Sequence, residues 1–151
     1  MDAMIDATIP HLPSDRVRYL MGVGATRDLV EGISRGVDLF DCVLPTRNAR
    51  SGTVMIPGGS LRLKHARFRD EHEPILDGCD CPTCTGGFTR AYLRHLLKTE
   101  EMLGGILASL HNLRYVIRLV ADARAAIIDG RFGAFLRQRR SLSEGERPEA
   151  G

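Results

Sequence analysis

Cys79, Cys81 and Cys84 stand within six residues in the run GCDCPTCTGG, a spacing that lets one turn gather three thiols around a point. Thiolates with a neutral imidazole are the donor set that a closed, four-coordinate zinc prefers. Lone cysteines more often serve as small buried hydrophobes. Here the neighbours Gly78, Asp80, Pro82, Thr83 and Gly86 describe a polar turn, and nothing but a metal accounts for three thiols clustered in it. A histidine completes the set. In SLHNLRYVIRLV, His111 falls where one apolar helix is expected to end and another to begin, a place from which its ring can aim at a neighbouring loop. His95, inside a helical stretch beside Arg94, is the runner-up. His65 and His72 are also available, and His11 is too far upstream to favour.

A second group of chemical residues lies in VDLFDCVLPTRNAR. Asp41 is expected near the carboxyl end of a strand, with Arg47 and Arg50 shortly after it. In βα barrels reactive groups gather at strand carboxyl ends, which makes this a catalytic candidate. Asp38 competes, but strand side chains alternate, so the two aspartates face opposite ways. The plain alternative for either is a strand-end carboxylate paired with arginine. Upstream, GVGATRD resembles a phosphate loop only weakly, because a dinucleotide fingerprint would want glycine where Arg27 stands. A glycine-rich turn before a helix still lets a ligand approach the backbone, and the helix start can face an anion.

The elements that must hold these groups follow from periodicity. Residues 1–17 are expected to be loop or linker, punctuated by Pro10, Pro13 and Ser14. RYLMGVG then reads as a buried strand, ATRDLVEGISRG as a helix opened by Thr26 and closed by Gly36, and VDLFDCVLP as a second buried strand. Strand, helix, strand normally gives parallel neighbours with a right-handed crossover. SGTVMIPGGSLRLKHARF carries two β-prone runs around Pro57 to Ser60, a hairpin signal. From Phe88 the pattern turns helical. Leu93, Leu96, Leu97, Leu103, Ile106, Leu107 and Leu110 form an apolar stripe, Arg90, Arg94 and Lys98 a basic face, and Gly104 and Gly105 a weak point. A further helix over 113–128 is expected to bury Val116, Val120, Ala123 and Ile127 and to end at Gly130.

Composition bounds the class. At 151 residues with 43% hydrophobic content the chain can build a core. Cys42 is left outside the cluster, which argues for a reducing cytoplasm over a disulfide scaffold. MDAMIDATIPHLPSDR contains no long apolar run, so neither a signal peptide nor a membrane span is expected there. A net charge of +2 proves no nucleic-acid partner, although arginine dominates the basic residues and clusters locally.

Taken in order, RYLMGVG, GVDLFDCVLPTRNARSG, CDCPTC, TRAYLRHLLKTEEMLGG and LHNLRY resemble the carboxyl-terminal part of bacterial tRNA-guanine transglycosylases, also called queuine tRNA-ribosyltransferases, over residues 10–138. The resemblance implies an α/β fold: the last two strands of a TIM barrel over 18–52, a hairpin and zinc-binding subdomain over 53–112, carboxyl-terminal helices over 113–140 and a polar tail over 141–151. It implies exchange of guanine at the tRNA wobble position for a queuine-type deazaguanine, by a cytoplasmic homodimer, through a covalent aspartyl–RNA intermediate. The family's nucleophile falls on Asp41. Its RNA-contacting stretches fall on Gly22, Val23, Gly24, Ala25, Thr26, Arg27 and Asp28, and on Thr46, Arg47, Asn48, Ala49 and Arg50. Its structural zinc ligands fall on Cys79, Cys81, Cys84 and His111. One departure adjoins the metal site: the loop TGGFTRAY is one residue longer than in familiar bacterial members. Another is larger. The earlier barrel strands, which carry the base-recognition aspartates and a second carboxylate, have no counterpart in this chain, so a non-catalytic, zinc-dependent tRNA-binding or dimerisation module is the alternative.

Overall fold

The computed structural model describes residues 1–144, so most of the polar tail expected over 141–151 lies outside the described residues. Two compact units are present. One comprises Met1–Val43 with the chain from Leu119 onward, the other Leu44–Arg118.

The first unit opens with α1 (Asp2–Thr8), where loop or linker was expected. The prolines do not preclude this helix; they end it. Pro10 occupies the start of a 3-10 turn, Ile9–His11, where a missing N–H costs little. Asp2 and Asp6 pair with Arg35 at 3.2 and 3.1 Å. Strands β1 (Tyr19–Leu20) and β2 (Leu39–Phe40) pair in parallel, Tyr19 with Leu39 and Leu20 with Phe40. Helix α2 (Thr26–Ser34) connects them, so the strand, helix, strand unit forms as expected. The strands are not buried, however: Tyr19 and Leu39 are each 50% exposed, Met21 and Val43 more so. A sheet of two strands has no third neighbour to cover its edges. Thr26 does not cap α2; Ala25 holds that position and its carbonyl accepts from Leu29 N at 3.0 Å. Glu31 on α2 is buried and takes two bonds, 2.6 and 2.8 Å, from Arg140 of α7 (Phe132–Glu144).

In the second unit α3 (Leu44–Ser51) leads into the antiparallel hairpin of β3 (Thr53–Ile56) and β4 (Gly59–Arg62), with Val54 opposite Leu61 and Ile56 opposite Gly59. The turn is therefore Pro57–Gly58. Proline presets the first corner and Gly58, at φ +90°, supplies the second. After the zinc turn α4 (Pro82–Thr85), Thr89 caps α5 (Arg90–Lys98) by accepting from Tyr92 N at 3.1 Å. The chain breaks before α6 (Met102–Ile128), at Glu100 with φ +60°, and not at Gly104. Gly104 lies inside α6, where a Cβ would sit 3.0 Å from Leu96 Cβ, so its bareness lets α6 approach α5. The core gathers Ala49, Val54, Leu63, Phe68, Ile75 and Leu93 with residues of α5 and α6.

Helix α6 corrects two expectations. It is one helix of 27 residues running through His111, not two meeting there. Nothing between Leu110 and Leu113 breaks a helix, and the two polar residues in between are buried with partners. Its covered residues include Leu107, Ala108, Leu119, Ala123 and Ala126, whereas Leu103, Ile106, Leu110 and Ile127 are exposed. Among the described residues no helix is long and apolar enough to cross a membrane.

Candidate metal centre and candidate active site

The metal centre is built from the turn outward. Pro82 presets the first residue of α4, and Cys81 caps it, its sulfur accepting from Cys84 N at 3.3 Å. Thr83 donates to the Leu107 carbonyl at 2.7 Å, tying the turn to α6. Arg114 forks onto the Asp80 carboxylate, and Arg118 reaches the Gly78 carbonyl at 3.2 Å. These bonds bring the sulfurs of Cys79, Cys81 and Cys84 to 3.7, 3.6 and 3.5 Å from Nδ1 of His111. All four donor atoms lie within 4.8 Å of one another.

The spacing fits zinc. A Zn–S bond of about 2.3 Å and a Zn–N bond of about 2.0–2.1 Å at a tetrahedral angle put the nitrogen roughly 3.6 Å from each sulfur. Hydrogen bonding does not explain it, because one imidazole nitrogen cannot serve three equidistant sulfurs. On its other side, Nε2 of His111 lies 2.8 Å from the Met55 carbonyl. That contact requires the proton on Nε2 and turns the Nδ1 lone pair toward the sulfurs. Burial pushes the Cys84 thiol up to about 12, raises Cys79 and lowers His111. A bound cation reverses the cost for the thiols by stabilising the thiolates. Three thiolates and one imidazole fill the tetrahedron, so the zinc is structural and leaves no open position. His111 stands in the cluster, and His95 lies exposed on α5 outside it.

Sequence reasoning did not single out Asn112. It is fully buried, accepts from Met55 N at 2.8 Å and donates to the carbonyls of Pro45 and Thr53 at 2.9 and 3.1 Å. Adjacent residues of α6 thus hold both backbone groups of Met55. The signal was the His-Asn pair itself, two polar residues together amid an apolar pattern.

In the first unit Asp41 follows β2 directly and is exposed. Its Oδ1 accepts from the Tyr19 hydroxyl at 2.7 Å and from Gly22 N at 3.2 Å. The Tyr19 bond first, and the Gly22 amide after it, hold its carboxyl below the usual aspartate range. The neighbouring carboxylate has a different job: Asp38 Oδ2 accepts from Arg18 N at 2.9 Å, beside the start of β1. The turn Gly22–Ala25 and the first residues of α2, Thr26 to Asp28, belong to this same unit. At Gly24 a Cβ would meet Cys42 Cβ at 2.4 Å, so only glycine fits there. Thr46, Arg47, Asn48, Ala49 and Arg50 belong to the second unit and lie in α3. Arg47 and Arg50 are exposed, but Ala49 is fully buried in the core, so its side chain is packing.

Comparison with known proteins agrees with these features. The family model described as queuine tRNA-ribosyltransferase matches residues 1–144. A queuine tRNA-ribosyltransferase of Symbiobacterium thermophilum is 53% identical over 99% of this chain and 38% of its own length. That of Stenotrophomonas maltophilia is 55% identical over 89% of this chain, and that of Thermus thermophilus 55% over 91%, each across 36% of its own length. The chain therefore spans little more than a third of the relatives it matches. With identity at this level along nearly the whole chain and the cysteine-histidine centre assembled, the chain belongs to the queuine tRNA-ribosyltransferase family.

Proposed function

We propose that this chain supplies the nucleophile and the structural zinc site of a tRNA-guanine transglycosylase, which replaces guanine at the wobble position of tRNA with a queuine-type deazaguanine. The observation that carries the proposal is Asp41: an exposed carboxylate, held ionised, immediately after a strand of a parallel pair, in a chain that matches this family from end to end of its described residues. On this reading β1 and β2 are the last two strands of a TIM barrel. Their parallel pairing, helical crossover and exposed faces support it, because barrel strands have neighbours on both sides.

Asp41 attacks the ribose anomeric carbon as guanine leaves, giving a covalent aspartyl–RNA intermediate, and the incoming base then displaces the aspartate from the same carbon. A carboxylate suits the step. It is ionised at neutral pH and stabilises the oxocarbenium character that develops as the glycosidic bond breaks. The Gly22–Asp28 turn contacts the RNA, and so does the exposed side of α3, with Arg47 and Arg50 on phosphates. The protein works in the cytoplasm as a homodimer. The row Met102, Ile106, Leu110, Leu113 and Ile117 along α6, all exposed, and the adjoining cleft of about 760 Å³ support a further protein surface covering this face.

The test is covalent trapping. With the remainder of a relative such as the Thermus thermophilus protein supplied, wild-type chain should give a denaturation-resistant protein–RNA adduct. Asp41→Asn should abolish it while Asp38→Asn retains some. An adduct that survives Asp41→Asn would refute the assignment, and salt-sensitive tRNA binding with no exchange at all would favour the tRNA-binding module instead.

A further inference from the structure

Two donors converge on a single oxygen of Asp41. The Tyr19 hydroxyl at 2.7 Å and the Gly22 amide at 3.2 Å both reach Oδ1. The two oxygens of a free carboxylate are equivalent. Donors on one of them draw charge there, fix rotation about the Cβ–Cγ bond and leave the other with a defined direction. Tyr19 is well placed to do only this. Its residue is half exposed on a two-residue strand, so the hydroxyl contributes little to any core, and Asp41 is its hydrogen-bond partner.

Resting on the nucleophile reading above, we propose that Tyr19 is a positioning residue: with the Gly22 amide it clamps Oδ1 of Asp41, so that Oδ2 is the atom that attacks. Oδ2 donates an electron pair to ribose C1′ and the bond from C1′ to the base nitrogen breaks. The bonding pair leaves with guanine, which takes a proton from a water or a carboxylic acid. In the second half the incoming deazaguanine gives its ring proton to the conjugate base of that acid and attacks C1′. The bond between C1′ and Oδ2 breaks, and its electron pair returns to Asp41. Oδ1 stays bonded to Tyr19 and Gly22 throughout, so the ester forms and breaks without the carboxyl group rotating.

The Tyr19→Phe variant tests this in two ways, since it removes one oxygen and keeps the ring. In the 151-residue chain labelled with ¹³C at aspartate carboxyls, Tyr19→Phe should raise the pH at which Asp41 titrates. Identical Asp41 titrations would overturn the clamp. In trapping and exchange assays with the remainder of a relative supplied, Tyr19→Phe should lower kcat by about tenfold with the KM for tRNA nearly unchanged, and should shift the acid limb of the pH profile upward. An unchanged kcat would overturn the positioning role. Loss of the adduct in wild type, with the titration difference intact, would instead sink the nucleophile reading on which the proposal rests.

Discussion

His111 and Met55 stand 56 residues apart in sequence, yet Nε2 of the one lies 2.8 Å from the carbonyl oxygen of the other. The contact decides the tautomer of a buried ring and thereby which nitrogen faces the thiols. One tightly held zinc per chain is the expected outcome of elemental analysis after chelator challenge. His111→Ala should lower metal retention far more than His95→Ala, because only His111 contributes to the cluster. Equal retention by the two variants, or a metal-free wild type, would contradict the assignment.

Asn112 should matter for stability without touching the metal. Asn112→Ala leaves the Met55 amide and the carbonyls of Pro45 and Thr53 without their buried partner. Each such loss costs on the order of 1–3 kcal/mol. The variant should unfold at clearly lower denaturant, and an unchanged midpoint in zinc-saturated protein would show that water replaces the amide freely.

Acid sensitivity has a specific source in Glu31. Arg140 foremost, then Arg35, hold its carboxyl down to about 2 from an ordinary 4.5, against the opposing effect of burial. A depressed carboxylate contributes stability that is complete above the unfolded value and is lost as pH falls from about 4.5 toward 2. Glu31→Gln should therefore cost on the order of 1–3 kcal/mol at pH 7, with the gap from wild type closing across that window. A gap that stays constant from pH 7 to pH 2 would mean the ion pairs contribute nothing.

The 151-residue chain alone should incorporate no radiolabelled guanine into tRNA, even with zinc bound. Two short parallel strands with open edges cannot hold the nucleophile against a base, and positioning and proton transfer each contribute several orders of magnitude by rough reckoning. Turnover above background would show that the chain assembles the site unaided.

Local chemistry was legible in the sequence, and so was the strand, helix, strand order. The cysteine spacing announced the metal turn, and Pro57–Gly58 announced the hairpin, because each is written in adjacent residues. What depended on distant partners was not legible. His111 belongs to the middle of a helix since β3 satisfies it and Asn112 there, and no local pattern reveals that. Leu39 and Tyr19 look like core strand residues, yet burial depends on neighbours this chain does not bring to them. Ala49 sits in an arginine-rich run that suggests RNA, but one helix carries both an exposed arginine face and a buried alanine.

The meeting of Gly24 with Cys42 has a consequence for how tolerance to mutation is distributed. A single methyl at position 24 would collide at 2.4 Å with the side chain next to Asp41, and the collision could be relieved only by moving the segment that carries the carboxylate. In a survey of every substitution scored by activity, Gly24 should therefore look as unforgiving as the nucleophile, although it has no side chain with which to react. Residues that fail together in such a survey need not share a chemical role; one of them here is simply the empty space that the other requires.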